Sequence, residues 1–244
     1  MMDQLPKPPE VPPEALLRAI AEDLAPVRPS PRPLHLALRM VPFALLVSSL
    51  ILLAIGPRGD SAILGPLLTW GASAAQFVFA TAIIWIAAHE STPAGKLPRQ
   101  VVYVAAAAAS LVVVAVTLST FSTSPAGPLP GFVPPRVAVL LHDSPWIVGF
   151  ACGIGSTMAG GVLVLLFSGL FSNSLATRPA IAGALYGAGA GLAINATWRI
   201  ACPFSNPWHA LGAHGAAIIT TVILGALIGR FLGNRRLHIG GRRS

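Results

Sequence analysis

Charge is what this sequence is short of. Only 10% of its 244 residues are Asp, Glu, Lys or Arg, and the acidic ones number eight. A soluble domain of this length needs about 25% charged residues to cover its surface, so a soluble globular fold is excluded. Cysteine is scarcer still. Two cysteines make no disulfide framework, and they do not form the Cys-x-x-Cys pair of a thiol oxidoreductase. HExxH, a nucleotide-binding glycine loop and paired carboxylates are also missing. No enzymatic activity is expected. The net charge of +8 invites a nucleic-acid reading, but the basic residues flank apolar runs instead of clustering as a face. That pattern is membrane topology, with no direct nucleic-acid binding.

What the chain does have is apolar length: 54% hydrophobic residues and a mean hydropathy of +0.73. Six runs, at about 37–55, 66–88, 101–121, 146–170, 180–200 and 209–232, approach the ~20 residues that cross a hydrocarbon core of ~30 Å. The expected fold is all-α, a polytopic six-transmembrane-helix bundle over 37–232. A short N-terminal segment, 1–36, precedes it, and a basic tail, 233–244, follows. The N-terminal segment is too long and proline-rich for a cleavable signal, so the first span is expected to stay as an anchor. Thirteen of the sixteen Lys and Arg residues fall on one side of this arrangement, which makes both termini cytoplasmic. Cys202, in the turn Cys202-Pro203-Phe204-Ser205-Asn206-Pro207-Trp208, then faces outward, and Cys152 lies near the outward end of the fourth span. No acidic residue falls within a span, so the coupling charges of a transporter are missing.

Prolines 8, 9, 12 and 13 forbid regular structure at the start of the chain. Glu14–Leu24 is the exception, a short helix with Pro13 at its entry and Leu16, Leu17, Ile20 and Leu24 on one face. At eleven residues it is too short to be stable alone in water. It lies on the membrane or folds against a partner. Glycines recur every fourth residue at Gly183, Gly187 and Gly191, at Gly225, Gly229 and Gly233, and at Gly149 and Gly153. Such spacing lets membrane helices approach closely, within one bundle or across a homodimer. Gln76 and Asn195, polar groups inside spans, are expected to hydrogen-bond between helices.

Three stretches carry a resemblance: PEALLRAIAEDLAPVRPSPRP, the helix of Cys152, and RPAIAGALYGAGAG leading to CPFSNPWHALG and GALIGR. Together they resemble the NrsF family of bacterial membrane anti-sigma factors. The resemblance implies six spans in the bacterial inner membrane and a cytoplasmic N-terminal segment that sequesters an extracytoplasmic-function (ECF) sigma factor. It also implies periplasmic cysteines, Cys152 and Cys202, that register metal or oxidative stress and so release the partner. On this view Leu16, Leu17, Ile20 and Leu24 are the partner-binding residues. The alternative is a small multi-pass transporter or a structural membrane protein with no regulatory role.

The two thiols can be used in two ways. A disulfide between them closes a loop of about fifty residues, worth about 4 kcal/mol by chain entropy in a soluble protein and less between packed helices. Coupling energies of about 1–3 kcal/mol suffice for regulation. One obstacle is depth. With a span starting at Trp146, Cys152 lies about 9 Å below the surface, while a disulfide needs Cα atoms within about 7 Å. The rival use is a soft metal ion, Cd(II) or Zn(II), held by Cys152, Cys202 and His209. His214 is five residues from His209 and is expected to diverge from it on an α-helix, serving as a hydrogen-bonded packing residue. The remaining reading makes both cysteines small buried hydrophobes.

Overall fold

The computed structural model describes residues 13–23, 32–59, 61–92, 97–121, 145–171, 177–202, 204 and 206–240. Among these residues there is no strand, and the fold is an all-α polytopic bundle. The first helix, α1 (Glu14–Asp23), belongs to a unit of its own, Met1–Ser30. Its Leu16, Leu17 and Ile20 are 51%, 47% and 45% exposed. Leu24 lies outside the described residues.

The second unit contains six helices long and apolar enough to cross a membrane. The first is α2 (Pro33–Ile55), which carries Pro42 in its interior. The second is built from α3 (Ser61–Pro66), a π-helical turn (Leu67–Gly71) and α4 (Ala72–Glu90). A kink at Gly65, whose φ of 74° favours glycine, separates the start of α3 from the rest. Then come α5 (Arg99–Phe121), α6 (Pro145–Phe171) and α7 (Pro179–Ala201). The last begins with a short turn, α8 (Pro207–His209), runs through a second π-helical turn (Ala210–His214) and continues as α9 (Gly215–Gly240). Pro33 and Pro179 sit in the first turns of α2 and α7, where the missing N–H costs nothing. Large apolar side chains such as Leu46, Leu50 and Leu53 on α2 and Tyr103, Val104 and Leu111 on α5 are exposed, as suits hydrocarbon in place of water.

The bundle is arranged around α7. Its span is 78% buried, against 17% for α2 and α5. The sequence explains why: PAIAGALYGAGAGLAINA offers mostly Gly and Ala, so neighbours can approach from every side. A Cβ on Gly183 would lie 2.1 Å from the Gly225 carbonyl oxygen, and one on Gly187 equally close to that of Thr221. Gly225 and Gly229 show the same crowding against Gly183 and Pro179. The four-residue glycine spacing on α7 and α9 therefore serves contact between two helices of one chain. On another face, a Cβ on Gly189 would meet Ile84 of α4 at 2.5 Å.

Two polar side chains inside the bundle make hydrogen bonds across helices, the contact a water-free interior favours. Gln76 donates to the Leu192 carbonyl at 3.4 Å, and Thr197 donates to Ser48 at 2.7 Å. One expectation needs correction. The second span is expected to end at residue 88 with no acidic residue in it, yet α4 continues through His89 and Glu90, and the Glu90 side chain is fully buried. An acidic residue thus does end a span. Its charge is met by Arg178, whose Nη2 donates to Glu90 Oε1 at 2.5 Å and to the Leu97 carbonyl at 2.8 Å. The Leu97 N–H closes the ring onto Glu90 Oε1 at 2.8 Å. One residue further, Ser91 donates to the hydroxyl of buried Tyr186 at 3.1 Å.

Candidate metal centre

Cys202 directly follows α7, where the backbone leaves the helix with φ −79° and ψ 121°. Pro203 favours an extended residue before it, and the Cys202 N–H still caps the Trp198 carbonyl at 2.6 Å. The side chain is buried. Cys152 lies on α6, which begins at Pro145. Their Sγ atoms are 3.9 Å apart, so the expected difference in depth is absent: the chain past α7 and the first turns of α6 occupy one level. Both are free thiols, since a disulfide requires about 2.05 Å.

His209 joins them, with Nε2 at 3.4 Å from Cys202 Sγ. The expectation that His214 diverges from His209 is overturned, while the expected hydrogen-bonded packing of His214 is present. Ala210–His214 form a π-helical turn in which the Gly215 N–H reaches back to the Ala210 carbonyl, five residues away. In that geometry residues i and i+5 share a face, and the two imidazole rings stand edge to face with centroids 5.2 Å apart. His214 is buried, and its Nδ1 is 3.0 Å from Ser156 Oγ. One ligand atom each from Cys152, Cys202, His209 and His214 lies within 4.8 Å of all the others.

The surroundings favour the reactive form of one thiol. The adjoining Cys152 thiol, with the His209 and His214 imidazoles, holds Cys202 well below its ordinary range, against burial, which pushes it up. A thiolate is the form that attacks a disulfide or binds a metal. Behind the cluster is a cavity of about 30 Å³, lined by Cys202 and His214 together with Asn195, Trp198 and two arginines, Arg58 and Arg199. That is room for one or two waters. The Trp198 indole N–H is buried without a hydrogen-bond partner among the described residues.

Two chemistries fit this arrangement: thiol oxidation to a Cys152–Cys202 disulfide, and coordination of a soft cation by two sulfurs and two imidazoles. The donor set contains no carboxylate, so hard cations such as Mg(II) or Ca(II) do not suit it. Sequence reasoning brings Cys152, Cys202 and His209 to one end of the bundle but leaves out His214 and Ser156. Ser156 stands four residues after Cys152, one helical turn along the same face, and that spacing is the signal that would have found it. Two further polar residues placed outward by the sequence, His142 and Asp143 in the loop before the fourth span, lie outside the described residues.

A family described as negative regulator of sigma F, NrsF, matches residues 20–233. The match begins at Ile20, so Leu16 and Leu17 precede it. No curated protein and no solved structure matches the chain.

Proposed function

The chain belongs to the NrsF family, negative regulators of sigma F, and from that membership we propose that it is a membrane-bound anti-sigma factor with no enzymatic activity. It holds an ECF sigma factor through the N-terminal segment 1–36. It sits in the bacterial inner membrane with both termini in the cytoplasm, as the distribution of basic residues favours. Cys152 and Cys202 then face the periplasm, where disulfides persist.

The observation that carries this reading is α1. A ten-residue helix that leaves Leu16, Leu17 and Ile20 about half exposed is too short to be stable alone in water, and of the two covers open to that face, membrane or partner, the family membership favours a partner. A helix whose apolar residues recur at three- and four-residue spacing is the shape that docks in a hydrophobic groove. Leu24 extends the same face in sequence. The thiol and imidazole cluster supplies the input at the opposite membrane surface, by oxidation or by metal ligation. Its signal is a changed packing of the helices that carry it, and the sigma factor is released.

The test is capture. The full-length protein, solubilised from membranes, should retain an ECF sigma factor identified by mass spectrometry. Leu17→Asp with Ile20→Asp, inserted in the membrane at normal level, should not. Equal recovery of a sigma factor by both proteins would remove α1 from the binding role.

A further inference from the structure

The cluster has more structure than two thiols that can oxidise. We propose that Cys152, Cys202, His209 and His214 form a closed, four-coordinate site for a soft divalent cation of the Zn(II) or Cd(II) class, and that Ser156 is its positioning residue. This rests on the regulatory reading above only for its biological use; the site itself stands on geometry.

The distances decide it. A tetrahedral ion with bonds of about 2.3 Å to sulfur and about 2.0 Å to nitrogen sets two sulfurs about 3.8 Å apart and a sulfur and nitrogen about 3.5 Å apart. The thiols stand at 3.9 Å, and Cys202 Sγ and His209 Nε2 at 3.4 Å. All four candidate atoms fall within 4.8 Å of one another, so an ion is reached by small side-chain adjustments. Forming the disulfide would instead pull the sulfurs together by almost 2 Å.

The fourth ligand depends on a backbone irregularity. On a regular α-helix His214 would point away from His209; the π-helical turn Ala210–His214 places both imidazoles at the thiols. Metal-bound histidines characteristically engage their second ring nitrogen with a hydrogen-bond partner, which fixes tautomer and orientation. Ser156 does this at His214 Nδ1, at 3.0 Å, and leaves Nε2 to ligate. With four protein ligands no coordination position stays open for water, so the site suits holding an ion and not hydrolysis. Binding displaces the thiol protons, and a metal-bound thiolate pair is not available for disulfide formation. Ion and oxidant therefore compete for the same two sulfurs.

The experiment uses purified, reduced, full-length protein in detergent, titrated with Cd(II) alone and, separately, with Co(II) as a spectroscopic probe. One equivalent per chain should bind, with thiolate-to-metal charge transfer and the visible spectrum of tetrahedral Co(II). His214→Ala should weaken Cd(II) binding at least tenfold. Ser156→Ala should weaken it by about 10–100-fold while the stoichiometry and tetrahedral spectrum persist, and Ser156→Thr, which keeps the hydroxyl, should recover most of the loss. A measurement needing no variant runs beside it: Cd(II) should protect both cysteines of the unaltered protein from alkylation. An unaltered protein that neither binds nor is protected would overturn the proposal, and so would His214→Ala binding with undiminished affinity. If Cd(II) binds as described while sigma-factor release ignores it, the site stands and the sensing role falls. If release responds to oxidant in a protein that binds no ion, the site falls and the regulatory reading stands.

Discussion

Glu90, fully buried, meets the partly exposed Arg178 at the end of α7 remote from Cys202. Arg178 immediately precedes α7 and Cys202 immediately follows it. The most buried helix of the bundle is thus fixed by an ion pair at one end and bears the thiol cluster at the other.

That pair should behave as a buried salt bridge does. Arg178→Ala strands the fully buried Glu90 carboxylate and should cost about 3–5 kcal/mol, while Glu90→Ala leaves Arg178 partly exposed and bonded to the Leu97 carbonyl and should cost less. The double substitution should cost less than the sum of the two. Thermal unfolding of the detergent-solubilised proteins, compared as a double-mutant cycle, checks it; additive losses would mean the two side chains do not depend on each other.

Glycine substitutions should divide by position. Gly187→Ala drives a Cβ into the Thr221 carbonyl and Gly183→Ala into that of Gly225, so each should lower thermal stability markedly. The Cβ of Gly169→Ala on α6 meets nothing within 4 Å among the described residues, and the change should be neutral or slightly stabilising, since alanine favours the helix by about 1 kcal/mol. A similar loss at all three sites would contradict the backbone contact between α7 and α9.

Each thiol should be needed for the response and neither for holding the partner. Cys152→Ser and Cys202→Ser should still capture the sigma factor but should release it poorly on exposure to Cd(II) or oxidant, measured with a regulon reporter. A full response in both proteins would leave the cysteines as packing residues.

Topology is checked by fusion. A reporter active only in the cytoplasm should work when joined after Arg236 and fail when joined between residues 122 and 143. Activity at both junctions would defeat the arrangement with cytoplasmic termini.

The helical spans are legible in the sequence because each demands a long apolar run, and hydropathy reports that directly. The glycine seam is legible as a spacing, though spacing alone does not say whether the second helix comes from the same chain. Ala80, Ile84 and the other contacts across Gly189 become visible only when α4 and α7 are packed together. Two features escape a reading that assumes regular helices. His214 is assigned to the wrong face because i and i+5 diverge on an α-helix, and nothing in Ala210-Leu211-Gly212-Ala213-His214 announces a π-helical turn. Glu90 looks like a loop residue because a lone carboxylate beside an apolar run is expected to seek water, and its partner lies 88 residues away.

The glycine seam also determines what the cluster can report. With no side chain between their backbones, α7 and α9 pack as one plank. Three of the four clustered residues ride on that plank: Cys202 just past α7, and His209 and His214 on the turns leading into α9. Only Cys152 comes from elsewhere, on α6, which meets the plank through side chains such as Thr221 against Gly160. The cluster is therefore a joint with one moving jaw. An ion or a disulfide there would tie α6 to the plank.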